Sequence, residues 1–350
     1  MRSRQGTLTS LEASIVRRPL GVAIVGSGAV ARIVRVPVYA QLSSTAQVVA
    51  VCDLDVSRAR DLAGQFGAPE PAVYARLEDV LEDERVDAVD VCTPHAAHAG
   101  PAIQALEAGR HVLVEKPIAS TLEDGMRMVD AAARAGRVLA VNEQIRFGAG
   151  LRRAHELLEQ GVVGELISVR AHRLFVLPAP YAASGWRNDP ATAASGILID
   201  QGPHYVHLLR RLAGEITHAQ AIAATPHAPT ALVHVKHASG VLGELLLSWR
   251  VPTPPTAAAG YAFGTEGDLE IDGPLGSLVL HRAQTGDSEV VVATEPYLTT
   301  VRACIADFLH AAAAAGAAEM SGVEGLRDLA VVAAALRSVS SGRLEQVQTV

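Results

Sequence analysis

Residues 22 to 34 read VAIVGSGAVARIV. A short β-branched run enters two glycines one residue apart, and helical periodicity then follows with alanine where a third glycine would stand. This spacing predicts a strand, a tight turn and a helix. In GSGAVA, Gly26, Gly28 and Ala31 occupy the three small positions of a dinucleotide-binding turn. The first glycine permits the sharp turn. The second lets a pyrophosphate approach the backbone N–H groups around Gly28, Ala29 and Val30, and the third small residue lets helix pack on strand. The helix amino end adds a field that favours phosphate. An ordinary strand–turn–helix shares these features, so the surroundings have to decide. The next strand, VVAVCD, ends in Asp53, about 20 residues on, where a carboxylate accepts hydrogen bonds from an adenosine ribose. A carboxylate there repels a 2′-phosphate, which favours NAD over NADP; Arg58 nearby moderates that preference.

Working outward, residues 20–145 alternate apolar runs with helical patterns. Residues 22–25, 48–52, 88–92, 111–114 and 138–141 are short and strand-like, while 99–108 and 122–135 repeat with helical period. Such alternation implies right-handed crossovers and a parallel sheet covered on both faces. After about residue 150 the pattern changes. A helix over 151–159 ends at Gly161, and strand-like segments follow at 166–177, 216–223, 232–237, 242–251 and 260–263. The last four are separated by turn residues such as PHAPT, ASG and PTPPT, which predicts a mainly antiparallel sheet. Two Ala-rich helices, about 298–314 and 323–340, end the chain, and nothing in the sequence assigns them to either domain. The expected division is a flexible tail at 1–18, a dinucleotide-binding α/β domain at 19–145 and an α+β domain at 146–350.

Composition excludes several classes. The 350 residues are 49% hydrophobic and 19% charged, with a net charge of −7 and acids and bases interspersed. No basic stripe exists to neutralise a phosphate backbone, so nucleic acid is not an expected partner. Cys52, Cys92 and Cys304 are odd in number and far apart, which fits a reducing, cytoplasmic setting better than a disulfide framework. Arg17-Arg18 before an apolar stretch looks like a twin-arginine export signal. Arg32 and Arg35 interrupt that stretch, however, and Gly-x-Gly falls inside it, which favours a tail running into the first strand. No apolar run reaches the ~20 residues of a membrane helix.

The segment VCTPHAAHAGPAIQALEAGRHVLVEKP, residues 91–117, resembles the signature of the glucose–fructose oxidoreductase, inositol dehydrogenase and rhizopine-catabolism (Gfo/Idh/MocA) family. Thr93, Pro94 and His98 match its Thr-Pro-x-x-x-His loop, and Glu115, Lys116 and Pro117 match its Glu-Lys-Pro. The likeness continues through WRNDP, through the Asp-x-x-x-His of DQGPH, through YAFGTEGDLEIDG and into VEGLRDLAVVAAALRS, covering about residues 20–345. The resemblance implies a Rossmann domain followed by an open-faced mixed-sheet domain, with the active site between them. It further implies a homodimer or homotetramer paired through the exposed sheet face. Lys116, Asp200 and His204 would form the catalytic constellation, and His95 lies in the same cofactor loop.

The chemistry of these residue types agrees. Lys116 closes a parallel strand at its carboxyl end, where open α/β sheets bind ligands, and a partly desolvated lysine there suits proton relay. A solvated lysine at a strand end is the plain alternative. His204 is the natural general base, and Asp200 orients it or the substrate. Asp200, His204 and His207 are spaced four and three apart, on one helical face, although Pro203 removes a donor within it. Two departures from the family pattern stand out: Ser195-Gly196 replaces Gly-Gly, and His207 replaces a common Asp. His95/His98 and His204/His207 also have the look of metal ligands, but neither pair has an obvious third, so no metal is expected. Arg146 of NEQIRF, His172, Trp186, Arg187, Asp189 and His207 are further candidates for contacts to a polyhydroxylated substrate. The reading is an NAD-dependent oxidoreductase acting on a secondary alcohol or ketone of a sugar, nucleotide-linked sugar or cyclitol. Its rivals are a relative that keeps a tightly held NAD for isomerisation or glycosidic cleavage without net redox, and a non-catalytic NAD(H) sensor.

Overall fold

In the structure, a computed structural model, residues 18–183, 185–188, 196–252, 260–272, 276–314 and 316–350 are described. Asp189, Ser195 and all but the last residue of the expected tail fall outside them.

Strands β1 (Leu20–Val25), β2 (Ala46–Cys52), β3 (Ala72–Tyr74), β4 (Ala88–Val91), β5 (His111–Glu115) and β6 (Leu139–Asn142) form one parallel sheet in the order β3-β2-β1-β4-β5-β6. Their unbroken apolar runs follow from burial on both faces: every residue of β4 and β6 is buried. The crossover helices are α1 (Val36–Gln41), α2 (Val56–Ala63), α3 (Leu77–Glu82), α4 (Ala99–Glu107) and α5 (Leu122–Ala135). The strand order reverses between β1 and β4, and in open α/β sheets ligands bind beyond the carboxyl ends at that point. The helix after the glycine turn is not regular. A π-helical turn, Ala31–Arg35, precedes α1, with the Val36 N–H bonded to Ala31 O. Pro37 has no N–H to continue the ordinary ladder, and the widened turn accommodates that loss.

Helix α6 (Ala149–Glu159) leads to β7 (Leu166–Leu174), the short α7 (Ala179–Ala182) and the long α8 (Gly196–Ala213). Strands β8 (Ile216–Ile222), β9 (Thr230–His237), β10 (Leu242–Ser248), β11 (Gly260–Gly264), β12 (Gly267–Ile271), β13 (Leu278–Arg282) and β14 (Ser288–Val292) follow, and then α9 (Tyr297–Ala314), α10 (Gly322–Ser341) and β15 (Glu345–Gln346). The second sheet runs β14-β13-β12-β11-β7-β10-β9-β8-β15. Only the β7–β10 pair is parallel. Burial alternates along β9 and β10, because one face packs on α8 while the other is open.

Neither of the two final helices is confined to the second sheet. Val301, Ile305, Phe308 and Leu309 of α9 join Val22 and Ile24 of β1 in one buried cluster on the Rossmann side. Helix α10 packs on α5 and β6 as well as on α8 and β8. A cut at 145/146 therefore separates the sheets but not the helices.

Candidate active site

A cavity of about 1180 Å³ opens between the carboxyl ends of the parallel strands and α8. At its cofactor end, Gly26 has φ +98°, and a Cβ there would lie 2.8 Å from Cys92 O. A Cβ at Gly28 would meet no protein atom within 4 Å. Close packing thus demands the first glycine, while the second fronts open space beside the helix start, the cradle a pyrophosphate requires. Asp53 is fixed to this turn: its carboxylate accepts from Ser27 N at 2.7 Å and Asp55 N at 2.9 Å. A carboxylate has about four acceptor positions, so capacity remains for a ribose. Arg32 donates to Ser27 O at 3.2 Å and to Arg58 O at 3.0 Å, tying the turn to α2. Ala29, Val30, Arg58, Thr93, Pro94 and His95 also line the cavity. These residues fit a dinucleotide.

Beneath the turn lies an ion-pair network. The fully buried Arg35 donates to Asp90 at 2.7 and 3.2 Å and to Glu115 at 2.9 Å. Burial works against the Arg35 charge, but Asp90 and Glu115 outweigh it, so the group stays charged. Tyr39 donates to Asp90 at 2.9 Å, and Asn142 donates to Glu115 at 2.9 Å. Glu115 in turn accepts from the backbone N–H of Lys116 at 3.2 Å. The π-helical turn and the Glu-Lys-Pro segment are thereby held as one unit. The ring nitrogens of His98 lie 2.8 Å from Pro117 O and 2.9 Å from Thr93 O, clamping the two loops together. Burial pushes its imidazole down, so the neutral ring donates to one of these two oxygens.

At the other end, the Lys116 ammonium donates to the backbone oxygen of Asp200 and lies 3.6 Å from its carboxylate. Asp200 Oδ1 also accepts from Arg187 Nε at 3.3 Å, with His95 Nε2 at 3.7 Å, and Oδ2 accepts from Gln201 at 2.9 Å. Burial alone would push the Asp200 carboxyl up, but Lys116 and Arg187 hold it well below the usual carboxylate range. Burial also drives His95 well below 6.5, so it is neutral near pH 7. The His95 ring meets Trp186 edge-on at 4.6 Å, and the Arg187 guanidinium covers Trp186 at 4.2 Å. His204 lines the cavity, and its Nδ1 lies 2.7 Å from the Glu143 carboxylate. Ammonium, carboxylate and imidazole therefore line the same cavity as the glycine turn.

The family model described as "Oxidoreductase family, NAD-binding Rossmann fold" matches residues 20–143, and the GFO/IDH/MocA C-terminal domain matches residues 151–279. The chain belongs to the Gfo/Idh/MocA family. A curated relative, 1,5-anhydro-D-fructose reductase of Ensifer adhaerens, is 29% identical over 286 residues, covering 78% of this chain and 83% of the relative. Levoglucosan dehydrogenase in complex with NADH and levoglucosan superposes with a TM-score of 0.85 at 22% identity, over 95% of this chain and all of that one. The WlbA dehydrogenase of Bordetella pertussis, in complex with NADH and UDP-GlcNAcA, gives a TM-score of 0.80 at 26% identity, over 95% and 100%. This Gfo/Idh/MocA member is an oxidoreductase with an NAD-binding Rossmann domain.

The structure brings Trp186 and Arg187 into the cavity but not Arg146, His172 or His207. Arg146 turns toward Glu319 and Glu324, at 3.6 and 3.9 Å. His172 stands on the open face of the second sheet, stacked on Tyr261 with centroids 6.1 Å apart. His207 is fully buried and meets Asp328 of α10 at 2.9 Å. It shares a face of α8 with Asp200 and His204, but it lies about 4.5 Å beyond His204 along the axis. No group of three side chains among the described residues could hold a metal ion. Arg35, Arg173, Tyr181 and Glu143 were not among the residues expected at the site. Arg35 looks like an exposed helical arginine, and Arg173 and Tyr181 reach the cavity only because β7 and α7 pass its rim.

Proposed function

We propose that this oxidoreductase moves hydride between NAD and a secondary alcohol or ketone of a sugar, nucleotide-linked sugar or cyclitol. The observation that carries the reading is that Lys116, in contact with Asp200, lines the same cavity as His204 and the glycine turn. The family relatives named above, a sugar-derivative reductase and two dehydrogenases, support the substrate class. Bound NAD supplies the acceptor for the C–H electron pair. His204 takes the hydroxyl proton as that pair leaves, and the Lys116 ammonium holds the oxygen. Asp200 fixes Lys116 and Arg187 while staying ionised. Trp186 and Arg187 offer an aromatic face and fixed donors to a ring bearing hydroxyls.

The test is a panel of cyclitols, glucosides, anhydrosugars and ketosugars assayed with NAD or NADH. Lys116→Ala should lose about 100-fold or more in kcat while NADH binding stays within about threefold. Normal turnover by that variant refutes the assigned role. Turnover without added NAD, with nucleotide surviving gel filtration, would instead point to a retained cofactor.

We also infer that the chain works as a homodimer or homotetramer in the cytoplasm. The open face of the second sheet carries Ile222, Leu242, Tyr261 and Phe263 beside the Arg170–Glu244 ion pair, with Ile222 69% and Leu242 61% exposed, and a mixed face of this kind suits contact with a second copy. Light scattering after size exclusion should give at least twice 36.6 kDa. All three cysteines are free, which suits a reducing compartment. No described helix is long and apolar enough to cross a membrane.

A further inference from the structure

Glu143 follows β6 at the crossover between the two sheets, and His204 sits on α8 in the second half of the chain. The Glu143 carboxylate is 1% exposed and lies 2.7 Å from His204 Nδ1. Its Oε1 also accepts from Ile145 N at 3.2 Å, which fixes the side chain from behind. No arginine or lysine pairs with it among the described residues; its one ionic partner there is His204. Capping a short turn needs only a small acceptor such as Asn or Ser. A buried carboxylate is costly unless a donor meets it, so capping alone does not account for a glutamate here.

We propose that Glu143 is a positioning residue for His204. Resting on the function proposed above, it extends the site from three side chains to four and sets the state of the imidazole. An ionised carboxylate can only accept, so it holds the proton of a neutral imidazole on Nδ1. Nε2 is then left, unprotonated, as the nitrogen available to the cavity. When Nε2 takes the proton of the substrate hydroxyl, the O–H bond breaks, the N–H bond forms, and the new positive charge sits beside Glu143. In the reverse direction the same nitrogen returns that proton to the carbonyl oxygen. Glu143 does not line the cavity, so it acts through His204 and not on substrate. The pair also spans the crossover, as the Lys116–Asp200 pair does, so each half of the molecule holds one member of both pairs.

The test uses the full-length protein with Glu143→Gln, His204→Ala and the double variant. Glutamine keeps an oxygen for Ile145 N but presents N–H to His204, which moves the imidazole proton to Nε2. Glu143→Gln should lower kcat about 100-fold with the best substrate of the panel, leaving its KM and NADH affinity within about threefold. In the His204→Ala background the same change should cost less than about threefold, because the partner it serves is gone. Wild-type kcat in Glu143→Gln, or losses that multiply in the double variant, would overturn the proposal. Nitrogen-15 NMR of histidine-labelled protein, assigned by difference from His204→Ala, gives a readout that needs no turnover. The proton should sit on Nδ1 in the native protein and move to Nε2 in Glu143→Gln; an Nε2 proton already in the native protein would overturn the proposal. If the native protein turns over nothing in the panel, the dehydrogenase reading fails by itself, and the NMR result still decides on the pair.

Discussion

Two glycines one residue apart carry opposite burdens. At position 26 the backbone is left-handed and Cys92 O closes the space, so Gly26→Ala combines a conformational penalty with a clash. That change should cost about 1–3 kcal/mol and lower Tm in the absence of nucleotide. At position 28 no protein atom competes, so Gly28→Ala should leave Tm nearly unchanged and weaken NADH by about tenfold or more, because its methyl occupies space kept for phosphate. Thermal melting and fluorescence titration check both; equal Tm losses in the two variants would contradict the division of roles. The same contrast shows which residues the sequence reveals. Gly26, Gly28, Asp53, Lys116, Asp200 and His204 belong to short motifs whose spacing already states a geometry. Glu143 belongs to NEQIRF, within a few residues of the expected Arg146, and only the fold turns one toward His204 and the other toward Glu319.

Elements follow the same division. The five strands foreseen in the parallel sheet are buried on both faces, which makes their apolar runs unbroken and easy to read. Strand β3 is three residues, Ala72–Tyr74, all half-buried, too short for a period to register. The π-helical turn was hidden because arginine at 32 and 35 and valine at 34 and 36 fit a regular helix equally well; Pro37 was its one sign. Pro203 raised the opposite expectation, yet α8 continues through it from Gly196 to Ala213. Asp200 and His204 consequently keep their common face, while His207 on that face passes beyond the cavity to Asp328. Helical spacing fixes angle, but which neighbour waits along the axis is a tertiary fact. The turn residues between the later strands foretold an antiparallel run, while the open face of that sheet was implied only by the family resemblance. The parallel pairing of β7 with β10 depends on residues far apart in sequence.

At the scale of the molecule, the late helices bind the two sheets together, with α9 under the Rossmann strands and α10 bridging to β8. Loss of either sheet's packing should therefore be felt by the whole chain, and acid provides a graded way to apply that stress. His95 and His237 are buried, and burial pushes both imidazoles below 6.5. His237 Nδ1 lies 2.7 Å from Gly214 O, while its Nε2 is buried without a partner. Above pH 6.5 both histidines are neutral whether the chain is folded or not, and they impose no penalty. Below it the unfolded chain takes up protons that the folded chain refuses, so stability falls by up to about 1.4 kcal/mol per pH unit for each. The carboxyls of Asp200 and Asp328, held below 3.8 by their cationic partners, contribute in a separate window, and their share is lost only below that pH. Acid should thus act in two stages, with Tm falling first between pH 6.5 and 5. His237→Gln, which retains a donor for Gly214 O but takes up no proton, should make that first stage shallower. A Tm constant from pH 7.5 to 5, or a slope unchanged by the substitution, would show that these rings are not the groups that make the fold sensitive to acid.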